Sequence, residues 1–289
     1  MIELDSLTSM ILPTSSANPH PKFTSKFSAV EHHSVVRITG GCAHMSSADA
    51  ANMNSLFRKA FLGFSGVLLV GGTRMVDTGY LRATMSESED ANSTEEFSPF
   101  VPGITDVGRV IKRQNPNCVL LGVIPRSEGV GFNQEFGILE VIRSVKDDPG
   151  DRYAKHIVTI VQSDMDAISL LLKPLQPRRT IWEDEAYFCA RIVQAQRESA
   201  GWDSALVVYN GGQTTEYEIR LTAESDSPVI LIRGSGRIAD RLAADAEFLE
   251  AHPSVQVCDL NPESLRNALV ETGTITPPPG QHGRLRAVS

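Results

Sequence analysis

No apolar run in the chain reaches the ~18 residues that a membrane-spanning helix needs, and the N-terminus lacks the basic-then-apolar order of a secretory leader. A cytoplasmic protein with no membrane partner is expected. Cysteine is sparse: Cys42, Cys118, Cys189 and Cys258 form no CxxC or Cys/His pair, so reduced thiols and no metal site are expected. His32, His33 and His44 also lack metal-ligand spacing. Positive charge is scarce, with 27 Lys and Arg against 35 Asp and Glu and a net charge of −8. A broad nucleic-acid footprint needs clustered basic residues, so no nucleic-acid partner is expected, and an anionic ligand must be met by a few local arginines. Also missing are a GxGxxG followed ~20 positions later by an acidic residue, the GK[ST] of a P-loop, and a GxSxG elbow. Ordinary NAD-dependent hydride transfer, NTP hydrolysis and serine-nucleophile chemistry are disfavoured.

Residues 1–30 are rich in Ser, Thr and Pro without a sustained period and read as a flexible arm, carrying a short apolar patch at Met10 to Leu12. Residues 274–289, "TITPPPGQHGRLRAVS", read as a disordered tail. Between them, 31–273 read as one domain in which short β-branched runs alternate with longer helical windows. That pattern predicts an α/β fold: a doubly wound, mostly parallel sheet with helices on both faces. The strands expected are 34–39, 65–71, 118–124, 156–162, 204–210, 228–233 and 254–259, giving a sheet of about seven.

Helices are expected at 46–63, where Ser46 and Asp49 form a variant capping box, and at 106–114, 181–200 and 239–252. A further helix follows the loop "NGGQTTEYEI" at 210–219. The acidic stretch 85–103 has no period and reads as an inserted surface loop.

Four of the strands run directly into glycines. They are "RITGG" with Gly40 and Gly41, "LLVGGTR" with Gly71, Gly72, Thr73 and Arg74, "VVYNGGQTT" with Gly211, Gly212, Thr214 and Thr215, and "LIRGSGR" with Gly234, Ser235, Gly236 and Arg237. In a doubly wound sheet the carboxyl ends of the strands form one edge, where ligands bind. Glycine there admits close approach of backbone N–H groups to an anion, and a following helix N-terminus adds partial positive charge. A phosphate-bearing ligand is the reading that uses all four loops, with Arg237 and Arg74 as candidate phosphate partners. Each loop taken alone is equally explained by the sterics of a tight turn. Asp240 is explained by the dipole of the helix it opens, and a hydroxyl of Thr214 or Thr215 by helix capping. Glu216 and Glu218 lie two apart, so only one of them faces the crevice.

Taken in order, "VVRITGG", "FLGFSGVLLVGGT", "LLGVIPR", "HIVTIVQSD", "ALVVYNGG" and "SPVILIRGSGRIAD" resemble the successive strand-end motifs of the SLOG superfamily. That group includes the Lonely Guy phosphoribohydrolases and the N-terminal region of melastatin-type transient receptor potential channels, and the melastatin-like branch is the nearer match. The resemblance covers about residues 34 to 245, with "GSGRIAD" its most specific element. It implies a Rossmann-like fold with a crevice for nucleotide-derived ligands, notably ADP-ribose and cyclic ADP-ribose, lined by the four glycine loops with Arg237 facing phosphate. "NGGQTTEYE" overlays the PGGxGTxxE motif of the Lonely Guy branch. Thr215 and Glu218 match and Asn210 and Thr214 depart, while the "MHxRK" arginine of the preceding helix has no counterpart in "SDMDAISLLLK".

Three functions follow as expectations. The first is binding or sensing of an NAD-derived nucleotide, with no other cofactor, acting through a separate effector protein. The second is nucleotide N-glycoside hydrolysis with Glu218 as the catalytic carboxylate; without its arginine, Glu218 is expected to bind a ribose hydroxyl instead. The third is a non-catalytic assembly domain using the N-terminal arm. A homo-oligomer is expected.

Overall fold

The computed structural model describes residues 33–41, 47–71, 75–77, 100–102, 104–125, 157–162, 168–173 and 181–277. The strands are β1 Ser34–Gly40, β2 Val67–Gly71, β3 Met75–Asp77, β4 Phe100–Pro102, β5 Val119–Pro125, β6 Ile157–Gln162, β7 Ile168–Lys173, β8 Asp203–Tyr209, β9 Val229–Arg233 and β10 Val255–Asp259. The helices are α1 Ser47–Ala60, α2 Ile104–Gln114, α3 Ile181–Ala200, α4 Gln213–Glu224, α5 Arg237–Ala243, α6 Ala246–Ala251 and α7 Pro262–Glu271.

Eight strands form the main sheet in the order β10-β9-β8-β1-β2-β5-β7-β6. Every neighbouring pair is parallel except β6 and β7. The α/β, doubly wound, mostly parallel architecture read from the sequence is the one observed, with one strand more than the seven expected. The central strand β1 lies between β2 and β8, which it pairs at Val35↔Val67 and Gly40↔Tyr209. From β1 the chain winds one way through β2, β5 and β7, and later the other way through β8, β9 and β10. The reversal falls between β1 and β8, and a crevice opens at such a point because the following connections leave toward opposite faces.

The central strands are near-continuous apolar runs because both of their faces are covered. Val36 and Ile38 of β1 join Met53, Phe57, Val107, Ile111, Leu265 and Leu269 in a core beneath α1, α2 and α7. On the opposite face Leu206 and Val208 meet Ile219, Leu231, Leu242 and Phe248 beneath α4, α5 and α6. Side chains alternate between these cores with the period of two that a strand imposes.

Several elements differ from expectation. The expected strand at 156–162 is the antiparallel edge strand β6, and its partner β7 was missed because "ISLLLK" lies in a stretch compared with a helix. The expected helix 239–252 is broken into α5 and α6, because Asp245 turns out of the helix and caps the next one, its carboxylate accepting from Phe248 N at 3.0 Å. Helix α7 was overlooked although "NPESLRNALVE" carries its start signals: Asn261 caps Ser264 N and Pro262 opens the first turn. Residues 100–102 of the acidic stretch form β4, antiparallel to β3; the remainder of that stretch, the arm 1–30 and residues 278–289 lie outside the described residues.

Thr274 and Ile275 are buried, and the Thr274 carbonyl accepts from Ser34 Oγ at 3.1 Å, tying this end of the chain to the start of β1. Cys118, Cys189 and Cys258 are buried free thiols; Cys42 and Ser46 lie outside the described residues. Among the described residues no helix is long and apolar enough to cross a membrane.

Candidate functional site

Two of the glycine loops face each other at the β1–β8 reversal. Gly40 is glycine for steric reasons alone: a Cβ there would stand 2.0 Å from the Tyr209 carbonyl oxygen of the paired strand. Beyond it, Gly41 lies against Gly211, whose Cα would be 3.1 Å from a Cβ on Gly41. The β8–α4 turn is tight enough to put Asn210 at φ 58°, a conformation that costs a non-glycine residue about 1–3 kcal/mol. Gly212 then serves as the N-cap of α4, and no side chain caps this end. The expected threonine cap is therefore absent: Thr215 is buried and packs its methyl against Gly211. Helix α4 thus presents an N-terminus with its partial positive charge to the crevice.

The third loop, from β9 to α5, is arranged differently. Asp240 reaches back from α5 and accepts hydrogen bonds from Gly234 N at 2.6 Å and Gly236 N at 3.2 Å. Ser235 Oγ accepts from Asn210 N at 2.9 Å and donates to the Ile232 carbonyl at 2.6 Å, joining the two loops. Gly236 at φ 104° needs to be glycine, and Arg237 follows at φ 44°. This strained backbone turns the Arg237 side chain back across the crevice. A Cβ on Gly41 would stand 3.2 Å from its Nη1, and one on Gly212 would stand 3.1 Å from its Nη2. Among the described residues the Arg237 guanidinium has no hydrogen bond or ion pair. Beside it, Asn210 is 6% exposed and its Oδ1 has no hydrogen-bond partner; it faces Gly236, 3.5 Å from the position of a Cβ there.

Beneath the crevice, between the sheet and helices α3 and α4, lies a buried ionic cluster. Arg37 of β1 donates through Nε to Glu218 Oε1 at 2.8 Å and through Nη2 to Glu185 Oε1 at 3.1 Å and Glu218 Oε2 at 3.3 Å. Thr39 Oγ1 donates to Glu218 Oε2 at 2.6 Å. Burial pushes the Glu185 carboxyl up to about 7, against the pull of Arg37 and with the push of Glu218. Burial lowers the Arg37 proton affinity, but the negative charge available to Cys189, Glu218 and Glu185 outweighs it, and the guanidinium is held more firmly charged than usual. Burial also raises the Cys189 thiol well above its ordinary range.

This cluster corrects the expected role of Glu218. Both of its carboxylate oxygens are engaged and it is 1% exposed, so it reaches neither a ribose hydroxyl nor a glycosidic bond in this arrangement. The arginine beside Glu218 is Arg37 of the central strand, not one from the preceding helix, and sequence reasoning missed it. A signal was present: an arginine inside "SVVRITG", a run destined for a central strand, has to find a buried carboxylate. Glu216, on the other side of α4, points outward and pairs with Arg220 at 2.8 Å and with Arg241. Gly71 ends β2 with Glu185 Oε1 3.3 Å from where its Cβ would be. Gly72, Thr73 and Arg74 lie outside the described residues, as do His32 and His44. His33 stacks on Trp202, with ring centroids 4.9 Å apart, at the opposite end of β1 from the crevice. Among the described residues no group of His, Cys, Asp and Glu could hold a metal ion.

Residues 175–274 match the family model described as SLOG in TRPM, prokaryote. Over that segment the chain is similar to SLOG domains. The matched segment holds the Asn210–Gly212 and Gly234–Arg237 loops, Glu185 and Glu218, so two of the three crevice loops and both carboxylates of the buried cluster belong to it. No curated protein matches the sequence. Solved structures that resemble this chain include the molybdenum cofactor carrier protein of Chlamydomonas reinhardtii, at 12% identity over 84% of this chain and 100% of that one, with a TM-score of 0.44. The molybdenum cofactor binding protein of Rippkaea orientalis is 13% identical over 85% of this chain and 99% of that one, with a TM-score of 0.43. DNA processing protein A of Helicobacter pylori is 11% identical over 84% of this chain and 83% of that one, with a TM-score of 0.42; its structure describes a single-stranded DNA binding mode. The expectation, drawn from net charge, that nucleic acid is excluded does not stand. The physical reason is that a charge summed over the chain does not report a local basic strip.

Proposed function

We propose that the chain binds a phosphate-bearing nucleotide at the carboxyl ends of β1, β8 and β9, of the NAD-derived class represented by ADP-ribose and cyclic ADP-ribose, and that it acts by binding rather than turnover. The observation that carries this reading is Arg237. Its guanidinium is held over Gly41 and Gly212 by a strained backbone, beside the uncapped N-terminus of α4, with its donors uncommitted among the described residues. A fork of charged donors beside a helix N-terminus is complementary to a phosphate oxygen cluster. Gly41, Gly211 and Gly212 leave the backbone bare for that approach.

Hydrolysis draws no support from the site, because Glu218 is consumed by Arg37 and Thr39. A binding domain of this kind works through a separate effector protein in the cytoplasm. Calorimetric titration with AMP, ADP-ribose, cyclic ADP-ribose and NAD tests the reading: at least one should bind, with affinity falling tenfold or more in Arg237→Ala. Absence of heat and of thermal shift with the whole set would overturn it.

A further inference from the structure

The two glycine loops that meet at Ser235 look alike in sequence but are in different electrostatic states. At the β8–α4 turn no side chain caps the helix, and the cation of Arg237, uncommitted among the described residues, lies over Gly212, while the first-turn carboxylate of Glu216 is paired with Arg220 and Arg241. At the β9–α5 turn the N–H groups of Gly234 and Gly236, which form the concave donor pair expected to receive an anion, already donate to one anion, the Asp240 carboxylate. The Ser235 hydroxyl is spent as well, on Asn210 N and the Ile232 carbonyl. Helix α5 is seven residues long and offers little dipole of its own. Asn210 Oδ1, buried and without a partner between the two loops, is an acceptor and therefore suits a hydroxyl or amino group of a ligand, not a phosphate.

We propose that Asp240 is a built-in anion that fills the β9–α5 nest, so that the crevice engages a single phosphate group, at the N-terminus of α4 under Arg237, and a second phosphate adds no affinity. This rests on the reading of the crevice as a nucleotide site and deepens it by assigning specificity to a residue that accepts no ligand bond itself. A second phosphate placed at the β9–α5 loop would meet a carboxylate where a nest would otherwise give two N–H donors. Like charges at that range repel, and the donors are no longer available.

The test is calorimetry of the full chain with AMP, ADP and ADP-ribose at one ionic strength. The expected result is three dissociation constants within about threefold of one another. In Asp240→Ala, the nest is emptied, and ADP and ADP-ribose should tighten at least tenfold relative to AMP. Wild-type protein that binds ADP tenfold or more tighter than AMP overturns the inference while leaving the nucleotide site standing, and so does a folded Asp240→Ala variant with an unchanged ratio. If that variant does not fold, the wild-type series decides alone. If none of the three nucleotides binds, the reading of the crevice fails, and this inference fails with it.

Discussion

Arg37 and Glu218, 181 residues apart in sequence, form a buried ion pair with Nε 2.8 Å from Oε1. The pair fastens the second turn of α4 to the central strand, and so holds the N-terminus of α4 at the mouth of the crevice. Glu218 therefore serves to place a helix end.

Removing Arg37 leaves Glu218 and Glu185 buried without their cation, a loss of about 3–5 kcal/mol, and removing Glu218 leaves Arg37 with Glu185 as its one remaining carboxylate at 3.1 Å. Arg37→Met and Glu218→Gln should each lower the urea midpoint sharply, and the double variant Arg37→Met/Glu218→Gln should recover part of the loss. Glu218→Gln that stayed fully stable yet lost ligand turnover would return Glu218 to a catalytic role.

Glu185 gives the cluster a pH dependence of defined sign. Its carboxyl lies at about 7 in the folded protein against an ordinary 4.5, so the folded state holds this proton more tightly than the unfolded chain. The resulting stability is fully present below pH 4.5 and is lost as pH rises through about 7. Glu185→Gln should flatten that decline and be the more stable protein at pH 8, by as much as about 3 kcal/mol. Denaturant unfolding at a series of pH values measures this; parallel curves for the two proteins would refute it.

Arg237 is strained and, among the described residues, unpaired, so its replacement should separate stability from binding. Arg237→Gly relieves a positive φ, and stability should be unchanged or higher by up to about 1 kcal/mol. Nucleotide affinity should fall at least tenfold. Equal losses of stability and affinity in thermal melts and titrations would show that the side chain is structural.

Neighbouring glycines should behave differently. Gly40→Ala drives a Cβ to 2.0 Å from the Tyr209 carbonyl oxygen and should abolish folding, seen as insoluble expression or a collapsed melting temperature. Gly41→Ala meets Arg237 Nη1 at 3.2 Å and Gly211 Cα at 3.1 Å. It should fold and lose affinity, because the guanidinium has to shift. Retained affinity in Gly41→Ala would argue against the placement of phosphate between these groups.

Much of the fold was legible because it rests on local periodicity. Apolar strands such as "SALVVY" and "PVILIR", each followed by glycine and then a polar helix start, declare parallel units whatever lies far away in sequence. The errors fell where two signals competed. "ISLLLK" is a strand inside a stretch compared with a helix, and Asp245 ends one helix by capping another.

Sequence alone determined that glycine-bearing loops would gather along one sheet edge, since each loop follows its own strand and the strands are parallel. The tertiary structure alone decided what each loop does. The partners of Glu218 are Arg37 and Thr39, far back on another strand; the nest of Gly234 and Gly236 is filled by Asp240; and Arg237 crosses to Gly41 and Gly212. Spacing in a motif fixes which residues are near in the chain, whereas burial and hydrogen-bond satisfaction are settled by contacts between elements that only the folded sheet brings together.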